Sequence, residues 1–282
     1  MGLFGKIKDA MKNDEDDNER DFKYLDRLIH SGEKVIVLDS DICKNGKLRY
    51  QNGIKVNVDD ITIDGNGYTI DAQKAGSIFL CTGKNITIKN LTLKNGYSIG
   101  SGGVINNNRE LTLINCRLED NFSMFGGAIN NQGELTIRDS VFKRNTAEND
   151  GGVINNYRSR INIENTTFER NICQRGFGGV IKNHKGVIEI ADSTFHDNGA
   201  YWGGAIFNNK GGMKFTNSTF TENVVINTGG AILNNDDSQV ILIGCTFAGN
   251  IAEKDGGAVY TDSDELTIKN CKFRENIPND VN

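Results

Sequence analysis

The sequence predicts an all-β solenoid of stacked coils with three short strands per coil, and three observations carry that prediction. The first is a repeat of about 26 residues, clearest in Gly126 to Asn145 (GGAINNQGELTIRDSVFKRN). Its Gly-Gly opening recurs at Gly102, Gly126, Gly151, Gly178, Gly203, Gly229 and Gly256, 24 to 27 residues apart. Its closing phrase recurs as RLEDN, VFKRN, TFERN, TFHDN, TFTEN, TFAGN and KFREN. Such a period marks a unit that buries its apolar face only against its neighbours. The second is alternation without any helical period. Ile129, Leu135, Ile137 and Phe142 fall on one side, and Asn130, Thr136 and Arg138 on the other. The third is a pair of asparagine columns, Asn107, Asn131, Asn156, Asn183, Asn208 and Asn234, with Thr261 in the last coil, and Asn121, Asn145, Asn171, Asn198, Asn223, Asn250 and Asn276. Identical amides about 4.8 Å apart can hydrogen-bond along a stack, and asparagine tolerates a left-handed corner. The competing reading is glycosylation sequons such as Asn165-Thr166-Thr167.

Each copy thus holds an opening strand (GGAIN), a middle strand (ELTIR) and a closing strand (SVFKR), each pairing in parallel with its counterpart one coil on. The inward columns run on as Ile154, Ile161, Ile163, Phe168 and as Ile232, Val240, Leu242, Phe247. A leucine-rich repeat is excluded, because its L-x-x-L-x-L-x-x-N phrase and its helical segment are both missing.

The phrases G-G-(A/V)-(I/V)-x-N and F-x-x-N resemble the repeats of chlamydial-type polymorphic outer-membrane proteins. ITIDGNGYTIDA (Ile61 to Ala72) and NITIKNLTLKNG (Asn85 to Gly96) resemble methanogen adhesin-like proteins. Both resemblances imply a right-handed parallel β-helix of the pectin-lyase-like kind, over about Phe22 to Asn276. That fold hosts lyases, hydrolases, tailspikes and adhesins, so it fixes no activity.

In chain order, residues 1–20 read as a mobile charged tail. Met1, Phe4, Ile7 and Met11 share a face that would suit a short amphipathic helix. Residues 21–31 read as a capping helix: Asp21 can cap it, and Phe22, Leu25, Leu28 and Ile29 share one face. A β-solenoid needs such a cover over its open edge. Residues 32–282 then form about nine coils, roughly 40 Å in length. The only proline, Pro278, follows the last coil. No helix is expected over that coil, which leaves an edge for self-association.

Composition narrows the function. Of 282 residues, 33 are glycine, and the net charge of −5 argues against general nucleic-acid binding. No secretory signal opens the chain and no run is long enough to span a membrane. A cytoplasmic location is therefore expected, unless the chain is a fragment or is exported by another route. The six cysteines lack C-x-x-C spacing. Buried thiols are expected, with Cys245 and Cys271 on adjacent coils the one pair placed for a disulfide.

No catalytic, cofactor or metal set emerges. Asp59 and Asp60, Asp236 and Asp237, and Asp262, Asp264 and Glu265 sit where turns are expected, and His30, His184 and His196 are scattered. What varies is the outward side of the opening strand. The site before Gly-Gly reads Ser101, Phe125, Asp150, Phe177, Trp202, Thr228, Asp255, with Tyr201 beside Trp202. The outward site after it reads Asn106, Asn130, Asn155, Lys182, Phe207, Leu233, Tyr260. Phe125, Phe177, Tyr201, Trp202, Phe207, Leu233 and Tyr260 are therefore the candidate binding residues, and large apolar groups in an exposed stripe mark a binding surface. The expected function is a non-enzymatic, adhesin-like protein that binds a polysaccharide or a protein partner. A lyase or hydrolase with a divergent site is the alternative, and a self-associating structural protein the third reading.

Overall fold

A computed structural model describes residues 20–44, 50–236 and 238–282. Residues 1–19 of the expected tail, with its amphipathic face, lie outside the described residues, as does Asp237.

Helix α1 spans Phe22–Ile29. Its cap forms as the sequence requires: the Asp21 carboxylate accepts from the Tyr24 N–H at 2.9 Å. Phe22, Tyr24, Leu25 and Ile29 are buried, while Leu28 is only half-buried. The helix packs on the strands Ile42–Cys43 and Ile54–Val56 of the first coil, and the Tyr50 hydroxyl donates to Asp26 at 2.7 Å.

The remaining chain winds through about nine turns, every strand pair parallel. The middle strands form one ten-stranded sheet, from Val35–Val37 to Leu266–Lys269. The closing strands form a second of ten, from Ile42–Cys43 to Lys272–Arg274, and the opening strands a third of nine, from Ile54–Val56 to Val259–Thr261. Register follows the repeat: Leu135 faces Ile161, and Phe142 faces Phe168, which faces Phe195. The phenylalanines stack inside at 4.6–5.0 Å between centroids from Phe142 to Phe273.

Three strands per coil is incomplete. From the third coil on, a short fourth strand lies between closing and opening strands. Seven of them form a corner sheet, from Tyr97–Ser101 to Ile251–Ala252. Four of the seven, the phrases IC, GA, VV and IA, are too short to show alternation, so the sequence pattern hid them.

Both asparagine columns are ladders. Asn145 Nδ2 donates to Asn171 Oδ1 at 3.0 Å, and Asn171 to Asn198 at 3.0 Å. In the other, Asn131 donates to Asn156 at 2.7 Å, and the series ends on the Thr261 hydroxyl at 3.1 Å. The ladder asparagines are not themselves left-handed. In the closing corner that role falls to the preceding residue, for example Arg144 (φ 53°), Arg170 (φ 54°) and Asp197 (φ 53°). Each residue of the Gly-Gly pair has its own reason. Gly126 has φ 64°, and a β-carbon on Gly127 would collide with the Gly152 carbonyl of the next coil.

The last coil is not bare. The Val259 N–H donates to the Asp280 carbonyl at 2.9 Å and the Ile277 N–H to Asn250 at 3.0 Å, so Ile277–Asn282 continues the corner and opening sheets. Any edge left for self-association narrows to Leu266–Lys269 and Lys272–Arg274.

A candidate ligand-binding face

The two variable columns lie in register, as the repeat requires. Phe125 pairs with Asp150, Asp150 with Phe177, and Phe177 with Trp202. On the opening sheet Lys182 pairs with Phe207, Phe207 with Leu233, and Leu233 with Tyr260. The columns face each other across the Gly-Gly corner.

That corner folds one column over the other. Phe207 and Leu233 point away from the interior, yet are only 5% and 1% exposed. The Phe177 ring lies 4.4 Å from Phe207 and stacks on Trp202 at 6.4 Å, while Tyr201 meets Trp202 edge-on at 5.9 Å. The Lys254 ammonium sits 5.7 Å over the Trp202 ring. Phe177, Tyr201 and Trp202 thus form a ledge on a buried Phe207 foundation, with Leu233 the next buried residue along. Tyr260 follows Leu233 and is half-buried. Phe125 stands two coils away, separated by Asp150, whose carboxylate is paired with Lys182 at 3.3 Å. In the same outward column Asn130 is buried, and the Asn155 side-chain oxygen is buried with no partner among the described residues. The two residues are bonded in an outward series, Asn155 to Asn130 at 3.1 Å and Asn130 to Asn106 at 3.4 Å.

Three of the candidate acidic residues do turn work. Asp59 Oδ1 accepts from the Lys84 N–H at 2.8 Å, Asp60 from Asn85 at 2.8 Å, and Asp262 from the Asp236 N–H at 2.9 Å. Of the histidines, His30 bonds Asn57 at 3.0 Å, His184 bonds Asn209 at 2.8 Å and stacks on Tyr157, and His196 bonds Thr221 at 3.1 Å. Three carboxyls are held below their ordinary range. Partial burial pushes Asp64 up, but Asn90, the Asn66 N–H and Lys89 outweigh it. Arg144 hydrogen bonds lower Asp120, and the Lys143 ammonium lowers Glu169. All three are driven toward the charged form, the opposite of what a proton donor needs. Among the described residues no three His, Cys, Asp or Glu side chains converge as a metal site would, and no helix is long and apolar enough to cross a membrane.

Residues 128–279 match the family model described as the right handed beta helix region, which is 152 of 282 residues. The chain belongs to the right-handed β-helix family. No curated protein matches it. The coils are therefore right-handed, and membership in this family leaves the activity open.

Sequence reasoning missed the outer side of the corner sheet. Its first outward column is Tyr97, Phe122, Thr146, Ile172, Gly199, Val224 and Ile251, with Ile277 bridged on at the end. Ile172 and Val224 are each 47% exposed. A signal existed: from Phe122 on, each of these residues directly follows a ladder asparagine.

Proposed function

We propose that this β-helix is a non-enzymatic binding protein that holds a glycan against the ledge of Phe177, Tyr201 and Trp202. The observation that carries this reading is the supported ring platform: Phe177 and Trp202 are stacked and partly open, and Phe177 packs on the buried Phe207. Sugar rings present flat C–H faces that lie well against such a surface. The Lys254 ammonium over the Trp202 ring and the Tyr201 hydroxyl beside it supply hydrogen bonds to sugar hydroxyls. Asp59, Asp60 and Asp262, among the acidic groups weighed as catalytic, are engaged in hydrogen bonds at turns, which supports binding over hydrolysis or elimination.

Trp202 is the only tryptophan, so its fluorescence reports on the ledge alone. Titration with a panel of polysaccharides should shift the emission, without release of reducing ends, and Trp202→Ala should abolish binding by an independent method. Reducing-end release would transfer the chain to the enzyme class. A dimer in dilute solution that Trp202→Ala dissociates would make the ledge a self-interface. Leu233→Asp cannot serve in that second test, because a buried Leu233 reports on folding.

A further inference from the structure

A second feature lies at the other end of the rod, on the corner sheet missed by sequence reasoning. Tyr97, 38% exposed, stacks on Phe122 with centroids 5.3 Å apart and planes inclined by 18°. Two surface cavities, of about 450 and 300 Å³, flank it, and both are lined by Tyr97 and Lys74. Their volumes suit small-ligand recognition. The larger is lined also by Gln51, Asn52, Gln73, Ser98 and Ile99, and among the described residues no carboxylate lines it. The smaller contains Asp120, which is neutralised by two 2.7 Å hydrogen bonds from Arg144.

Charge decides what the cavities would accept. Lys74 makes no side-chain hydrogen bond or ion pair among the described residues. A second cation lies immediately behind the wall of the larger cavity. Lys44 is 2% exposed, and its ammonium would collide with a β-carbon on Gly76, one of the lining residues. Its partners are the Tyr50 carbonyl at 2.7 Å and the face of the Phe22 ring at 5.3 Å, neither of them an anion. Burial without a counter-charge pushes its pKa down to about 8. In a protein of net charge −5, two ammonium groups without acidic partners among the described residues converge on one cavity beside the Tyr97–Phe122 pair.

We propose that the Tyr97–Phe122 pair and its flanking cavities bind an acidic sugar unit, a pyranose bearing a carboxylate or sulfate. The ring lies on Tyr97, the anionic group is drawn to Lys74 and the field of Lys44, and the amides bond the hydroxyls. Two cavities on either side of one tyrosine suit consecutive units of a chain. The choice of a sugar rests on the glycan-binding reading above; the site itself does not share a residue with the Trp202 ledge.

The test is isothermal titration calorimetry on the full chain. The probes are a hyaluronan hexasaccharide (carboxylate), a chondroitin sulfate hexasaccharide (sulfate as well), cellohexaose (neutral) and poly-glutamate. At least one acidic oligosaccharide should bind, with Kd rising steeply with salt. Lys74→Gln and Tyr97→Ala should each weaken it about tenfold or more, and Lys214→Gln, exposed on the middle sheet and outside both sites, should leave it unchanged. Lys74 is on the surface, so its variant should fold normally. Cellohexaose or poly-glutamate binding that Lys74→Gln weakens equally, indifference of the acidic probe to both variants, or no binding of any acidic probe would each overturn the proposal. A fluorescence response at Trp202 with no acidic binding at Tyr97 sinks this inference alone, and the converse result sinks only the ledge.

Discussion

The interior amides should be worth more to this fold than their polarity suggests, and Asn198→Ala measures it. The Asn198 amide nitrogen donates to the Phe168 carbonyl and to Asn223 Oδ1, each at 3.0 Å. Its oxygen accepts from the Asn171 amide and the Asn171 backbone N–H, again each at 3.0 Å. The site is 1% exposed, so water cannot replace what is lost. Truncation orphans the Asn171 N–H at about 1–3 kcal/mol and removes three further bonds at about 0.5–1.5 kcal/mol each. The expected cost is therefore about 3–7 kcal/mol, comparable to the 3–5 kcal/mol expected at about the same depth for Phe195→Ala.

The assay is urea unfolding by circular dichroism, with hydrogen exchange to localise the loss, because a repeat array need not unfold in one step. Asn165→Gly is the control. Asn165 is exposed, left-handed at φ 46°, and donates to Asp139 at 2.7 Å, so the change to glycine should cost within about 0.5 kcal/mol. Exchange should quicken first in the coils around Asn171 and Asn223. If Asn198→Ala costs less than about 1 kcal/mol, or no more than the control, the ladder is incidental to stability.

Three further outcomes are expected. Leu25→Ala, at a fully buried site of α1, should cost about 2–5 kcal/mol and quicken exchange at Ile54–Val56 before any later coil; uniform quickening would mean that the helix is no cap. Burial pushes the Cys81, Cys116 and Cys173 thiols up to about 12 and Cys245 to about 11, so in the native state maleimide should label only Cys43 and Cys271, and early labelling of the other four would contradict the packing. Lys143 lowers the Glu169 pKa in the folded state, so its contribution to stability is present above the ordinary value of 4.5 and is lost as pH falls through the lower folded value. Lys143→Met should flatten that part of the acid limb, and an unchanged limb would rule out the pair as its source.

The coils were legible in the sequence because their causes recur. An inward Ile or Phe, a buried Asn and a Gly-Gly corner must each be repeated wherever one coil meets the next. Phe142, Phe168 and Phe195 therefore form a column on the page as they do in space. The corner strands were not legible, since Ile172–Cys173 and Gly199–Ala200 are two residues long and carry no period. The candidate ledge was half legible. Phe177 and Trp202 were placed correctly before the Gly-Gly pair, but alternation assigned Phe207 and Leu233 only to an outward side. It could not show that the corner folds back over them. Tyr97 and Lys74 belong to no repeated position, so only the folded chain brings them together.

The division between repeated and unrepeated residues also bears on how the two surface sites relate. The ladders and the phenylalanine stack are the same in nearly every coil, and they contact only adjacent coils. A change on the outside of one coil therefore has little route to another. Tyr97 pairs with Phe122 and Trp202 with Phe177, so two coils, those of Thr146 and Ile172, separate Phe122 from the coil of Trp202. At about 4.8 Å per coil, the two aromatic sites are roughly 20 Å apart, beyond the range at which substitutions ordinarily couple. Effects of Tyr97→Ala and Trp202→Ala on stability should accordingly add within about 0.5 kcal/mol. For a ligand long enough to reach both, binding should behave differently: the second contact becomes intramolecular and the double variant loses more than either site alone predicts. Additive stability with non-additive binding is the signature of one rigid rod presenting two sites to one chain. Additive behaviour in both would mean that each site takes its ligand separately.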